Sequence, residues 1–156
     1  MSDDLSAMYQ ELILDHSRRR VGQRTLEAAD ASHHELNPTC GDEITLQVTA
    51  GAATGAVGEL AWHGNGCSIS MASASILAEL AADRPGTDLR PLIDEFRTMM
   101  HSRGRGEPDD SALGDAVVFH GTSKYVMRVK CAMLAWVALE KCLDALPAGP
   151  AATADA

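Results

Sequence analysis

Residues 37–49 run Asn37-Pro38-Thr39-Cys40-Gly41-Asp42-Glu43-Ile44-Thr45-Leu46-Gln47-Val48-Thr49, a turn that leads into a strand. The second half alternates strictly, with Ile44, Leu46 and Val48 on one side and Glu43, Thr45, Gln47 and Thr49 on the other, which predicts a half-buried strand. In the first half, Pro38 fixes its own φ and biases Asn37 toward extended backbone. Gly41 is free to take a positive φ, so the Cys40 thiol and the Asp42 carboxylate are able to face one centre.

Downstream, Gly51 to Gly58 is rich in glycine and alanine and predicts a hairpin loop into a second strand, Glu59 to His63, with Leu60 and Trp62 facing the core. That hairpin sets the Cys40 turn at one end of a sheet. Gly64-Asn65-Gly66-Cys67 leaves the strand, and Ser68 to Ala82 predicts a helix of apolar and small residues. Cys67 then stands at or just before a helix N-terminus, where unpaired amides and the positive dipole end favour thiolate over thiol. Ser68, Ser70, Ser73 and Ser75 predict close packing on the sheet; a catalytic serine would need a base that the sequence does not identify.

Arg84-Pro85-Gly86 ends this helix, and Asp88 caps the next, whose buried stripe is Leu89, Leu92, Ile93, Phe96, Met99 and Met100. Ser102 to Asp110 reads as an exposed loop, and Leu113 to Phe119 as a short apolar element. Gly121 to Lys130 leads to Cys131, and Ala132 to Leu146 predicts a last helix carrying Trp136, Leu139, Leu143 and Leu146. Cys142 falls in its interior as a small core residue. Pro147 stops the helix, so the expectation is a single domain over residues 1–147 with a disordered tail over 148–156.

Upstream, Leu5, Met8, Tyr9, Leu12, Ile13 and His16 make one helical stripe, capped by Ser2, Asp3 or Asp4. Arg18-Arg19-Arg20 follow it, as a solvated helix end or as a docking contact for an acidic patch. From Val21 to Leu36 no period is visible, which predicts an irregular connection with His33 and His34 as a surface pair.

At 156 residues, 46% hydrophobic and 22% charged, the chain has enough apolar surface to fold without a metal. Only 4% of it is aromatic, which leaves a core of aliphatic residues and alanine and an α-rich fold. With 13 basic against 22 acidic residues and a net charge of −9, nucleic acid and anionic membranes are disfavoured, and a basic partner surface fits better. No charged-then-apolar leader and no long apolar run is visible, so a cytoplasmic protein is expected. Four widely spaced cysteines without an export signal point away from a disulfide framework and toward metal binding or thiol chemistry.

Cys40, Cys67 and Cys131, with Asp42 beside the first, offer three sulfurs and one oxygen, a donor set that zinc accepts. The carboxylate is the harder and more exchangeable ligand, so the coordination is able to open without loss of the fold. An iron–sulfur cluster is the competing occupant, and a purely structural staple is the blander account.

These residues resemble the IscU-like family of sulfur-relay and scaffold proteins, and within it the SufU type. The likeness runs from Tyr9, Leu12-Ile13 and Asp15-His16 through Asn37 to Asp42. It continues in Gly64-Asn65-Gly66-Cys67-Ser68-Ile69-Ser70 with Ala72-Ser73-Ala74-Ser75, and in Arg128-Val129-Lys130-Cys131-Ala132 with Leu134-Ala135-Trp136. Two features place it nearer the SufU type than the scaffolds. The interval between Cys67 and Cys131 carries the extra Ser102 to Asp115 stretch, and Lys130 stands where the scaffolds have histidine. The Leu-Pro-Pro-Val-Lys chaperone motif of those scaffolds is absent as well.

The resemblance implies a small antiparallel sheet packed by several helices, an α+β fold, with zinc held by Cys40, Asp42, Cys67 and Cys131. It also implies a partner, a SufS-type cysteine desulfurase whose pyridoxal phosphate frees sulfur from cysteine as a persulfide, and downstream iron–sulfur assembly proteins. The expected activity is zinc-dependent sulfur transfer, with an iron–sulfur scaffold as the alternative. On docking, one zinc ligand is exchanged for a group of the desulfurase, which frees a thiolate. Cys40 is the expected acceptor, because its turn is the least constrained and the family resemblance points there. Cys131 is the second candidate, and Arg128 either orients the site or makes a plain surface contact.

Overall fold

The structure, a computed structural model, describes residues 2–146. The tail expected over 148–156 lies outside the described residues. Helix α1 (Ser2–Arg19) is followed by strands β1 (Ala31–Asn37), β2 (Asp42–Ala50) and β3 (Val57–Asn65). Helices α2 (Ser68–Ala82), α3 (Arg90–Met100), the single turn α4 (Asp110–Leu113) and α5 (Val126–Ala145) complete the chain, with two short 3-10 helices, Gly114–Phe119 and Gly121–Lys124, before α5. The strands form one antiparallel sheet in the order β1-β2-β3. The α+β fold expected from the sequence is the fold observed.

One face of the sheet is covered by α5, which packs on β1 and β2, and by α2, which packs on β3 and α5; α1 closes over α2. Ile44, Leu46 and Val48 are fully buried, as their alternation requires. Helix α2 is the central element: it is apolar or small on nearly all sides, the pattern of a helix surrounded by protein. Ser73 of α2 donates to the Ala132 carbonyl at 2.6 Å and accepts from Trp136 Nε1 at 2.9 Å, which fixes α2 against α5. Trp136 stacks on Phe96 of α3 with ring centroids 4.0 Å apart. All six members of the α3 stripe are buried, and Asp88 Oδ1 accepts the Arg90 N–H at its start.

Three elements differ from the sequence expectation. The stretch taken for an irregular connection contains β1, an edge strand. Its residues Ala31, His33, Glu35 and Asn37 lie opposite Val48, Leu46, Ile44 and Asp42, on the core-facing side, while Leu36 points outward and is 49% exposed. A strand with polar residues inward and a leucine outward carries no apolar alternation. Helix α5 begins at Val126, so Cys131 lies in its second turn and not just before a helix start. Helix α1 continues through Arg19 and ends at Arg20, whose φ of 47° is the left-handed close of a helix C-terminus.

Candidate metal and thiol site

Asn37 and Asp42 are the last pair of the β1–β2 ladder, so Pro38, Thr39, Cys40 and Gly41 form a four-residue hairpin loop. The Gly41 N–H donates to the Asn37 carbonyl at 2.8 Å, and the Thr39 N–H to Asn37 Oδ1 at 3.2 Å. Gly41 has a φ of 74° and open space where a Cβ would stand, so its glycine answers to backbone conformation alone. The loop leaves Cys40 exposed. Asp42 shares the parity of Ile44, Leu46 and Val48 and therefore points inward; it is 3% exposed.

The buried carboxylate is held from two sides. Oδ1 accepts the backbone N–H of Cys67 at 3.1 Å, and Oδ2 accepts Ser70 Oγ at 2.6 Å. Cys67 is the N-cap of α2, so Asp42 places negative charge at the positive end of that helix. Gly66 makes the approach possible, since a Cβ there would lie 2.9 Å from Asp42 Cγ. Burial raises the Asp42 pKa, but the bonds from Ser70, Cys131 and Cys67 outweigh it and hold the carboxyl below its ordinary value.

Cys131 enters from α5. Its Sγ lies 3.6 Å from Cys40 Sγ and 3.9 Å from Asn37 Nδ2, and the residue is 4% exposed. Burial pushes its thiol strongly up, reinforced by the Asp42 carboxylate and by Cys40 and Cys67 beside it. The ligand atoms of Cys40, Asp42 and Cys131 all lie within 4.8 Å of one another. Cys67 stands at the rim with its Sγ 3.5 Å from Asp42 Oδ2 and 3.6 Å from Ser70 Oγ. Of the predicted site residues, the structure thus brings three into one tight cluster and sets the fourth against it through the shared carboxylate.

Three sulfurs and one carboxylate oxygen are donors that zinc accepts, and Cys67 stands outside the 4.8 Å group that the other three form. Bonds of about 2.3 Å to sulfur and 2.0 Å to oxygen at tetrahedral angles separate two sulfurs by about 3.8 Å and a sulfur from an oxygen by about 3.5 Å. The Cys131–Cys40 distance of 3.6 Å and the Cys67–Asp42 distance of 3.5 Å are close to those edges. Burial keeps the Cys131 thiol protonated in the absence of a cation, and a divalent cation at this place would favour its thiolate.

Other sequence candidates are elsewhere. His33 bonds Glu35 at 2.7 Å and His34 faces Glu43 at 3.6 Å, so neither joins the cluster. Cys142 is fully buried and its Sγ meets the Leu46 carbonyl at 3.4 Å, as expected of a core residue; burial raises its pKa to about 11. Arg128 is exposed and lies over the Tyr125 ring, 4.9 Å from the centroid. Asn37 and Ser70 are site residues that sequence reasoning left as turn and packing residues. For Ser70 the signal was the i, i+3 spacing from Cys67, which stacks both on one helix face.

Residues 8–142 match the family described as NifU-like N terminal domain. The chain belongs to that family. NifU-like relatives include the iron-sulfur cluster assembly scaffold protein IscU of Streptococcus pyogenes serotype M1, 33% identical over 89% of this chain and 84% of the relative. The zinc-dependent sulfurtransferase SufU of Bacillus subtilis (strain 168) is 36% identical over 88% of this chain and 90% of the relative. Among solved structures, the putative iron-sulfur cluster assembly scaffold protein for the SUF system from Fervidobacterium islandicum AW-1 superposes with a TM-score of 0.72 at 28% identity, over 85% of this chain and 94% of that one. The IscU/SufU likeness expected from the cysteine motifs is thereby established, while the relatives' names divide between scaffold and sulfurtransferase. No helix among the described residues is long and apolar enough to cross a membrane.

Proposed function

We propose that this chain is a zinc-dependent sulfur acceptor that takes persulfide sulfur from a SufS-type cysteine desulfurase and relays it to iron–sulfur cluster assembly in the cytoplasm. The observation that carries the reading is the convergence of Cys40, Asp42 and Cys131, with Cys67 bonded to the same carboxylate. Those four residues are the proposed zinc ligands. Bound there, zinc would hold the sulfurs as thiolates at neutral pH and temper their nucleophilicity.

Cys40 is the proposed acceptor. It is exposed on a hairpin loop, whereas Cys131 is 4% exposed and fixed in α5. Freed from the donor set by a group of the docked partner, the Cys40 thiolate would attack the outer sulfur of the partner's cysteine persulfide. A new S–S bond forms on Cys40, the old S–S bond breaks, and its electron pair leaves on the partner's cysteine sulfur. Asp42 is held by Ser70 and the Cys67 N–H, bonds that do not involve Cys40.

A docking face adjoins the site. Tyr125, Val126 and Met127 are 54%, 63% and 46% exposed, four to six residues before Cys131. A groove of about 570 Å³ runs beside them between α1 and the start of α5, lined by Tyr9, Ile13, Ile69 and Arg128 among others. Apolar residues clustered on a surface this close to the thiols suit a protein partner.

The test is to incubate the metal-loaded protein with a SufS-type desulfurase and cysteine, and to measure the metal content, the position of added sulfur by mass spectrometry, and the desulfurase turnover. Added sulfur on Cys40 and faster turnover are expected. No sulfur on any cysteine and no gain in turnover would sink the relay. The scaffold reading, favoured by the name of the Streptococcus relative, predicts instead a cluster absorbing in the visible that stays on the protein after reconstitution with iron and sulfide.

A further inference from the structure

A second cluster of potential ligands lies where α1, α2 and the Gly114–Phe119 3-10 helix meet. His16 is fully buried in α1, Glu79 and Asp115 are partly exposed, and their ligand atoms lie within 4.8 Å of one another. From Cys67 to Glu79 is twelve residues, about 18 Å along the helix axis, so this cluster is separate from the thiols.

The hydrogen bonds fix the state of the imidazole. Arg19 NH2 lies 3.1 Å from His16 Nε2, and a guanidinium only donates, so Nε2 accepts and carries no hydrogen. The ring proton is therefore on Nδ1, which donates to Ser75 Oγ at 2.9 Å. Ser75 Oγ is itself anchored by the Val21 N–H at 2.9 Å. A buried imidazole whose tautomer and plane are fixed through one nitrogen, with the lone pair of the other held by Arg19 beside two carboxylates, has the fixed second nitrogen of a metal-ligating histidine once Arg19 moves away. The Nε2 to Asp115 Oδ2 distance is 3.6 Å, near the edge of about 3.4 Å expected between nitrogen and oxygen on one tetrahedral cation.

Arg19 now holds the Nε2 lone pair. Its side chain is 45% exposed, stands 3.7 Å from Glu79, and holds Asp15 one turn back on α1 at 2.8 Å. The guanidinium thus has two carboxylate partners, Asp15 and Glu79, and it can swing to Asp15 without losing that partner. We infer that His16, Glu79 and Asp115 form a second cation site, for a divalent first-row ion that takes nitrogen and oxygen donors, with Arg19 as a displaceable plug. The ion would tie α1, α2 and the 3-10 helix together.

Manganese(II) is the probe, because it favours carboxylate over thiolate and the fraction left free is read directly by electron paramagnetic resonance. The full chain, zinc-loaded, is titrated with manganese chloride. Saturable binding of one ion per chain is expected, tightened about ten-fold by Arg19→Ala, which removes a competing positive charge. Binding should weaken at least about ten-fold in Asp115→Asn and in Glu79→Gln, both partly exposed positions whose folding is checked by thermal melting. Paramagnetic broadening of the His16 ring signals should accompany binding. Absence of saturable binding at millimolar manganese, or binding that Asp115→Asn and Glu79→Gln leave unchanged, would overturn the site and leave Arg19 as the permanent cation of an ion-pair cluster.

Discussion

Helix α2 carries two polar clusters, and they solve the same electrostatic problem differently. At its N-terminus, Asp42, Cys67 and Ser70 meet Cys40 and Cys131, and the bonds to the carboxylate come from a hydroxyl, a thiol and a backbone N–H, none of them charged. Toward its C-terminus, Ser75 and Glu79 meet His16 and Asp115, and Arg19 stands among them. In the first cluster burial and the Asp42 carboxylate keep the Cys131 thiol neutral, and a cation from outside is what the proposed function adds there. The second brings its own cation on a side chain. The difference teaches that a donor set is read by what already neutralises it as much as by the ligands themselves.

The sharpest way to break this comparison is Asp42→Ala. It removes the carboxylate donor together with the acceptor of Ser70 and of the Cys67 N–H. Zinc affinity, measured by chelator competition, should fall by roughly 100-fold or more, since even the loss of an outer partner costs a metal site 10–100-fold. Asp115→Asn in the other cluster should leave that affinity unchanged. Equal losses in the two variants would show that the clusters are not independent.

The two serines of α2 sharpen it further. Ser75→Ala strips the acceptor from two donors, His16 Nδ1 and the Val21 N–H, and should cost about 2 kcal/mol in denaturant unfolding with no change in zinc affinity. Ser70→Ala frees one donor from Asp42 Oδ2 and should cost about 1 kcal/mol of stability. It should also lower zinc affinity roughly ten-fold. If Ser70→Ala left the metal as tightly held as before, Asp42 would owe its orientation to Cys67 and Cys131.

Much of this was legible in the chain before folding. Period two gave β2, period 3.6 gave α3, the run of apolar and small residues gave α2, and the spacing of Leu60 and Trp62 gave β3. The parity of Ile44, Leu46 and Val48 also extends back to Asp42, which is why the carboxylate is buried. What stayed hidden has a common cause, polar residues inward and apolar ones outward. Strand β1 turns His33 and Glu35 to the covered face and Leu36 to solvent, and the first turn of α5 exposes Val126 and Met127. In α1 the sequence stripe contains Leu5 at 47% exposure, Met8 at 52% and His16 at 0%, the reverse of their hydrophobicity. The His16 cluster draws on residues 16, 79 and 115, which no local spacing connects.

Cys131 and Cys142 give the smallest expected effect and the cleanest control. Eleven residues of α-helix turn through about three full turns with some 20° left over, so both thiols lie on one face of α5, about 16 Å apart. Along that face the sheet decides their fate. Cys142 lies over Leu46 in the middle of β2, with burial pushing its thiol to about 11, while Cys131 reaches the end of the ladder, where the hairpin loop delivers Cys40. After metal removal, alkylation near pH 8 should therefore label Cys40 and Cys67 and leave Cys142 untouched until the protein is denatured. Cys142→Ala should keep full zinc content and full sulfur acceptance, with only a small loss of thermal stability. Loss of bound zinc in that variant would mean that the metal site depends on the packing of the whole α5 face and not on its second turn alone.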